Sequence, residues 1–209
     1  MKSKLLALML LCSTAAFAQN YGNKIDPSRG FSERLKSASD RTQSITCDFE
    51  QVKFMSVLAK TNKSKGKFFY KKAQKICLEY TNPQGNLIVM NGVKFKIQTN
   101  GKATVVKMNS NPMMRQMGDM LTACMTGNLN LFGNQSVSEY FENQSHYTVV
   151  ITPTNRRVKC YLKQIVLRFD KGDMTLSSMR MNENDTDYTL YEFSDKRLNA
   201  NVDDDKFKI

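Results

Sequence analysis

The chain predicts an α+β fold in which one curved antiparallel sheet carries helices on one face, and three observations lead there. Segments that alternate apolar and polar residues fill most of the sequence after residue 43, from SITCDFEQVKF to DYTLYEF, and that alternation marks strands with one buried and one solvated face. Short turn-forming clusters separate them, as hairpins allow and parallel crossovers do not. Helical spacing is clear in only two places, Pro27 to Gln43 and Asn111 to Met125. A sheet with so few helices buries its apolar face against them.

The N-terminus combines Lys2 and Lys4, an apolar run from Leu5 to Leu11 and the small-x-small sequence Ala16-Phe17-Ala18, the layout of a cleaved export signal over residues 1–18. Cys12 follows Leu11 instead of the small residue that a lipid-modified cysteine needs. Cleavage after Ala18 leaves about 190 residues. No later run reaches the ~18 apolar residues of a spanning helix, so a soluble protein of the periplasm is expected. A polar leader, residues 19–30, precedes a single domain, residues 31–209, with no stretch that reads as a linker.

The first helix is expected over Pro27 to Gln43, with Phe31, Leu35 and Ala38 on one side. Ile45, Cys47 and Phe49 then alternate with polar residues as a half-buried strand does. Lys60 to Gly66 reads as a polar, lysine-rich connection. Two neighbouring strands follow, with Gly66, Phe68 and Tyr70 on one face of the first and Ile76, Leu78 and Tyr80 on one face of the second. In LIVMNGVKFKIQ, Asn91-Gly92 suits a type I′ hairpin turn. That turn sets Met90 opposite Val93 and Ile88 opposite Phe95, with Ile97 on the same face and Lys94, Lys96 and Gln98 on the other. A methionine-rich helix follows Met108 and ends near Gly127, and a second short helix is expected near Ser136 to Asn143. The strands YTVVIT, YLKQIVLRFD, TLSSMRM and DYTLYEF complete the pattern, with turns at Pro153-Thr154-Asn155 and Lys171-Gly172-Asp173.

The net charge is +12, or +10 without Lys2 and Lys4, and it is spread along the chain. Export removes nucleic acid as a partner. Anionic lipid headgroups remain, since each nearby basic residue is worth about 1 kcal/mol there, although a cationic surface also simply aids solubility. Cys47, Cys77, Cys124 and Cys160 lack metal-ligand spacing and His146 is the single histidine, which argues against a zinc site. In an oxidising compartment both disulfides and buried thiols are open to them. There is no GxSxG, no pair of carboxylates on a shared helical face, and His146 stands in no nucleophile motif, so neither catalysis nor a cofactor is expected. Asp203-Asp204-Asp205 lacks the glycine and glutamate of a calcium loop and reads as a solvated turn before a last strand.

The methionine-rich segment NPMMRQMGDMLTACM places Met113, Met117, Met120, Leu121 and Cys124 on one helical face, widened by Met114 and Met125, with Arg115, Gln116 and Asp119 pointing away. Unbranched, polarizable methionine packs against several shapes, so this face suits ordinary core or a deformable cover.

The order of motifs resembles the LolA-type periplasmic carriers of outer-membrane lipoproteins over roughly Phe31 to Ile209. DFEQ (Asp48 to Gln51) is similar to the family's opening F-x-Q strand, and GKFFYKK (Gly66 to Lys72) to its glycine-led strand. EYTNPQGNLIVMNGVKF fits its run from a proline to a D/N-G hairpin, and KQIVLRFDKGDMTLSSMRM, DYTLYEF and NVDDDKFKI follow its later strands and its closing phenylalanine strand. Two positions depart from it: Lys72-Ala73 replaces an Arg-Pro pair whose arginine helps close a lid, and Leu78 replaces a tryptophan. Lysine lacks the planar fork of arginine for that task.

The resemblance implies an unclosed half-barrel whose concave apolar face is covered by helices. It further implies a carrier or chaperone, not an enzyme, that shuttles lipoproteins from the inner to the outer membrane with their acyl chains enclosed. Acyl contacts would come from Phe49, Phe68, Tyr70, Ile76, Leu78, Ile88, Met90, Phe95 and Ile97 on the sheet and Met113, Met117, Met120 and Leu121 on the helix, with Lys72 closing the lid. The implied partners of this monomer are acylated lipoproteins, an inner-membrane lipoprotein-releasing ABC transporter and an outer-membrane acceptor. A lipid or glycolipid binding module, or a lipoprotein sensor of the same fold, is the alternative.

Overall fold

Twelve strands form one antiparallel sheet. In the computed structural model, which describes residues 21–28, 30–108, 112–129 and 136–209, β1 (Asn23–Lys24) and helix α1 (Phe31–Arg41) come first. They precede β2 (Ser44–Met55), β3 (Lys60–Lys71), β4 (Lys75–Asn82), β5 (Gln84–Asn91), β6 (Lys94–Thr99) and β7 (Lys102–Lys107). Helix α2 (Pro112–Thr126) leads to β8 (Ser136–Glu142), β9 (His146–Pro153), the one-turn α3 (Arg156–Lys159), β10 (Gln164–Asp170), β11 (Leu176–Asn182) and β12 (Tyr188–Leu198). The expected export signal, residues 1–18, lies outside the described residues. None of the described helices is long and apolar enough to cross a membrane.

Across the sheet the order is β1-β8-β9-β10-β11-β12-β2-β3-β4-β5-β6-β7, so two hairpin series join where β12 pairs β2, and the sheet does not close. One apolar cluster draws on both wings: Met90 and Phe95 from one, Val149 and Ile151 from the other, with Phe31 and Leu35 of α1 and Cys124 and Met125 of α2. Strands so far apart in the sheet reach one cluster because the twisted sheet curls around the helices. The fold is the expected unclosed, curved sheet with few helices.

At its centre the Phe49 ring lies over Gly66, its partner on β3. A Cβ on Gly66 would stand 2.6 Å from that ring and 2.3 Å from the Glu79 carbonyl oxygen. Tyr80 meets the ring edge-on at 5.1 Å, and Tyr191 lies 5.9 Å away. Glycine therefore makes room for an aromatic stack on the concave side, beside a register shift in the β3–β4 pairing.

Four local expectations are corrected. Lys60 to Gly66 is no connection but the first half of β3, paired through to Met55; Lys63, Lys65 and Lys67 alternate with Asn62, Ser64 and Gly66, a period-two pattern hidden because both faces are polar. Ser136 to Asn143 is strand β8, not a helix, and Tyr140 turns inward to meet Phe31 at 5.8 Å. Met90 pairs Phe95 and Ile88 pairs Ile97, so the hairpin loop is Gly92-Val93. Gly92 has φ 81, and the Asn91 side chain accepts from the backbone N–H groups of Val93 and Lys94. The two-residue shift in partners leaves every side chain on its expected face.

The fourth correction is the C-terminus, which is no strand. Asp204–Phe207 forms a 3-10 turn capped by Asp203, whose carboxylate accepts from the Asp205 N–H. Val202 and Phe207 bury Cys77 and Val89 on the convex side. Asp204 bridges Lys71 and Lys75, at 3.0 and 2.9 Å, and relieves the repulsion of two cations paired across the β3–β4 hairpin.

Gly66→Ala is expected to cost about 1–3 kcal/mol of stability, because neither the Glu79 backbone nor the stacked Phe49 ring can yield freely. Urea denaturation of the two proteins measures it.

Candidate functional site

From the α1–β2 junction to Phe49, the concave face of β2 to β6 is apolar. Phe49, Phe68, Tyr70, Ile76, Met90 and Phe95 are all 4% exposed or less, Leu78 is buried, and Ile88 is half-buried against them. Ile97 is 40% exposed at the β6 end. The structure thus brings eight of the nine expected sheet residues into one packed surface and leaves Ile97 at its margin.

Helix α2 covers this surface. It approaches closely at Gly118, where a Cβ would fall 2.6 Å from Met90 Sδ and 2.4 Å from Met108 Cε. Ala123 and Cys124 are fully buried, and Leu121 packs against the shared core. The side chains of Met113, Met117 and Met120 lie outside the described residues. Past the helix, Gly127 adopts φ 73, the left-handed conformation usual after a helix C-terminus. Leu35 of α1 fits against it so closely that a Cβ would stand 2.5 Å from Leu35 Cδ1.

Two polar attachments among the described residues lie in the β3–β4 turn beside the cover. Lys72 Nζ donates to the Asp40 carbonyl at 3.3 Å, which ties the β3–β4 turn to the end of α1. Gln74 in the same turn reaches α2, its Nε2 donating to Asp119 Oδ1 at 3.2 Å. Ala73 and Gln74 hold φ of 73 and 59, and such left-handed residues cost roughly 1–2 kcal/mol each. The hydroxyl of Thr122, one turn beyond Gly118, is buried with no hydrogen-bond partner among the described residues. An unpaired buried hydroxyl is unfavourable by about 1–3 kcal/mol.

Towards the end of the sheet away from the α1–β2 junction, the concave face turns polar. Gln51 Nε2 donates to the Tyr191 hydroxyl at 3.0 Å, Tyr80 stands beside Tyr191, and burial pushes both phenols above their ordinary pKa. Lys53 lies 3.7 Å from Glu183, which also accepts from Thr189. The apolar floor is thereby bounded. Two surface clefts, of about 430 and 410 Å3, lie elsewhere: one between α1 and the β10–β11 turn, the other beside Asn23 and Glu142.

Cys47, Cys77, Cys124 and Cys160 are free thiols. Burial pushes Cys47 and Cys77 up to about 12 and raises Cys124 as well, which keeps them protonated and unreactive. His146 Nδ1 meets the Ser145 hydroxyl at 2.8 Å on a surface turn.

Sequence reasoning overlooked Gly118, Thr122 and Gln74. A glycine amid five methionines on one helix was a readable sign of close approach; nothing marked Gln74, whose role depends on the β3–β4 turn.

An uncapped cup of sheet, apolar within and covered by a helix, defines the half-barrel class. The chain belongs to the LolA family: the family model described as outer membrane lipoprotein carrier protein LolA matches residues 40–209. A search of curated proteins finds no match. Among solved structures, an uncharacterized conserved protein from Thermus thermophilus superposes with a TM-score of 0.54 at 6% identity, covering 87% of this chain and 93% of that one. MucB gives 0.50 at 11% identity, with 85% of this chain spanning 60% of its length. The Mycobacterium tuberculosis lipoprotein LppX gives 0.46 at 11%, covering 86% and 99%. These likenesses are of fold.

Gln74→Ala is expected to raise amide exchange in α2 by about fivefold, the equivalent of one hydrogen bond of about 1 kcal/mol. Lys72→Ala is expected to affect the end of α1 and leave α2 unchanged. Hydrogen exchange read by mass spectrometry separates the two.

Proposed function

We propose that this protein is a periplasmic carrier that encloses the acyl chains of lipoproteins between its concave sheet and α2 and moves them from the inner to the outer membrane. The observation that supports this most directly is the cover itself: an apolar face spanning β2 to β6 lies under a helix whose described polar tie to the neighbouring turn is Gln74 to Asp119. Membership of a family described as lipoprotein carriers agrees with it. An inner-membrane lipoprotein-releasing transporter would load the carrier and an outer-membrane acceptor would unload it.

With the floor residues almost fully buried, α2 must shift before a ligand enters. Each methylene withdrawn from water gains about 0.8 kcal/mol, so a 16-carbon chain gains about 12 kcal/mol. Membranes offer nearly the same gain. A carrier must therefore shield its cargo without outcompeting the destination, and a methionine-rich cover is loose enough for that. Met113, Met117, Met120 and Leu121 are assigned to the acyl contacts, together with the sheet floor. The unpaired Thr122 hydroxyl is a ready donor for an ester or amide carbonyl of the lipid anchor.

Mass spectrometry of the protein recovered from the periplasm is expected to find acylated lipoprotein; free lipid or glycolipid in its place would assign the same fold to a lipid binder. Met117→Asp with Met120→Asp is expected to abolish lipoprotein transfer in a chain that still folds, and undiminished transfer would sink the assignment. Thr122→Val is expected to stabilise the unliganded protein by about 1 kcal/mol, because it removes an unsatisfied buried hydroxyl, while weakening ligand retention. Thermal denaturation with and without ligand measures both effects.

A further inference from the structure

Six strand ends meet at one margin of the sheet: the C-terminal ends of β9, β11 and β2 and the N-terminal ends of β10, β12 and β3. Three connections finish it, the β2–β3 turn, the β11–β12 turn and the segment containing α3. They are fastened into one surface. Asp187 Oδ1 accepts from the Ser56 N–H at 2.8 Å, Lys163 pairs with Asp185, and the Lys163 N–H donates to the Asn182 carbonyl at 2.8 Å.

This margin combines two features. Its tips are apolar and bare: Val57 is 91% exposed, Leu58 62% and Tyr161 68%. The β2–β3 hairpin also projects, because β4 pairs with β3 only from Lys65 onward, which leaves Lys60 to Ser64 beyond its neighbour. Around the tips, Lys60, Arg156, Arg157 and Lys159 are exposed and in no ion pair with an acid among the described residues. The acids of the margin are engaged, Glu183 with Lys53, Asp185 with Lys163 and Asp187 with the Ser56 N–H. Farther from the margin, on β2 to β4, the lysines are matched instead: Lys65 with Glu50, Lys67 with Asp48, Lys71 and Lys75 with Asp204.

We propose that this margin docks on an anionic lipid bilayer, with Val57, Leu58 and Tyr161 entering the headgroup layer and the four unmatched cations holding lipid phosphates. Projecting tips lack the hollow that a shaped protein partner would fill, but a soft interface receives them, and an aromatic ring with a polar end suits its depth. Each basic residue near such a surface raises partitioning about fivefold. The inference stands whatever occupies the concave face.

The test sediments the purified protein with vesicles of phosphatidylcholine alone and of phosphatidylcholine mixed equally with phosphatidylglycerol. Binding is expected to the anionic vesicles only, and to be lost in molar salt, where screening acts beyond about 3 Å. Arg156→Gln, Arg157→Gln and Lys159→Gln together are expected to weaken it roughly a hundredfold. The same charge removed from β6 and β7, by Lys94→Gln, Lys96→Gln and Lys102→Gln, is expected to leave most of it intact. The chain has no tryptophan, so Val57→Trp supplies a single reporter whose emission is expected to shift to the blue on anionic vesicles, while Val93→Trp, on the distant β5–β6 loop, stays unshifted. Absence of binding, equal binding to neutral vesicles, or equal loss in the two triple variants overturns the proposal. Binding with an unshifted tryptophan at position 57 also overturns it and assigns the margin to the acidic face of a protein partner.

Discussion

A single curled sheet cannot bury its concave face against itself, so the fold depends on what is laid into the curl. Here that is two helices held against each other through Leu35 and Gly127, with α2 resting on Met90 and Met108 at Gly118. The absence of a side chain at Gly118 sets how far the helix sinks, and that depth determines whether the apolar floor is shut. A sandwich would lock two sheets together across many strands. A helix laid on one sheet contacts it along a single stripe, and such a contact is free to be remade.

Among the described residues, the cover is held by close packing at Gly118 and Gly127 and by one hydrogen bond from the β3–β4 turn. Lys72 is engaged with the end of α1, and the neighbouring Gln74 supplies the described hydrogen bond to α2 from a turn in which Ala73 and Gln74 both hold unfavourable backbone angles. Met90 of the floor is unbranched and polarizable, and such a side chain repacks at small cost. The opposite end of the concavity is treated differently. Gln51 is hydrogen-bonded to the buried Tyr191 there, with Tyr80 beside it, and Lys53, Glu183 and Thr189 stand beyond. One end of the face is soft and the other is directional.

Much of this was legible in the residues. Phe31 and Leu35 gave the face of α1, and the alternation around Phe49, Phe68 and Ile76 gave the floor, because burial on one side of a strand leaves a period of two. The signal failed where both faces of a strand are polar, as from Lys60 to Ser64, and where aromatic and β-branched residues share a segment with serine and glutamate, as in β8. Asn91-Gly92 marked a hairpin, yet the turn formed one residue later because the Asn91 carboxamide bonds its own backbone instead of entering the loop. The convex layer of Val202 and Phe207 over Cys77 and Val89 was invisible, since contacts between distant segments leave no local period. The site followed the same division: the floor residues were readable, whereas Gln74 and Thr122 acquire their meaning only once α2 lies over the sheet.

The junction of β12 with β2 carries a consequence for how the chain is made. The wing from β2 to β7 is complete at Lys107, but the strand that covers the open edge of β2 begins at Tyr188. A chain that emerges N-terminus first therefore holds a bare sheet edge and an uncovered apolar floor until nearly its last residues arrive. During that interval the unpaired backbone of β2 is a template for any other strand, including that of a second nascent copy. Yield in this protein is thus a contest between the arrival of β12 and encounters between unfinished chains, so crowded expression tilts it towards aggregates without any change in the finished fold.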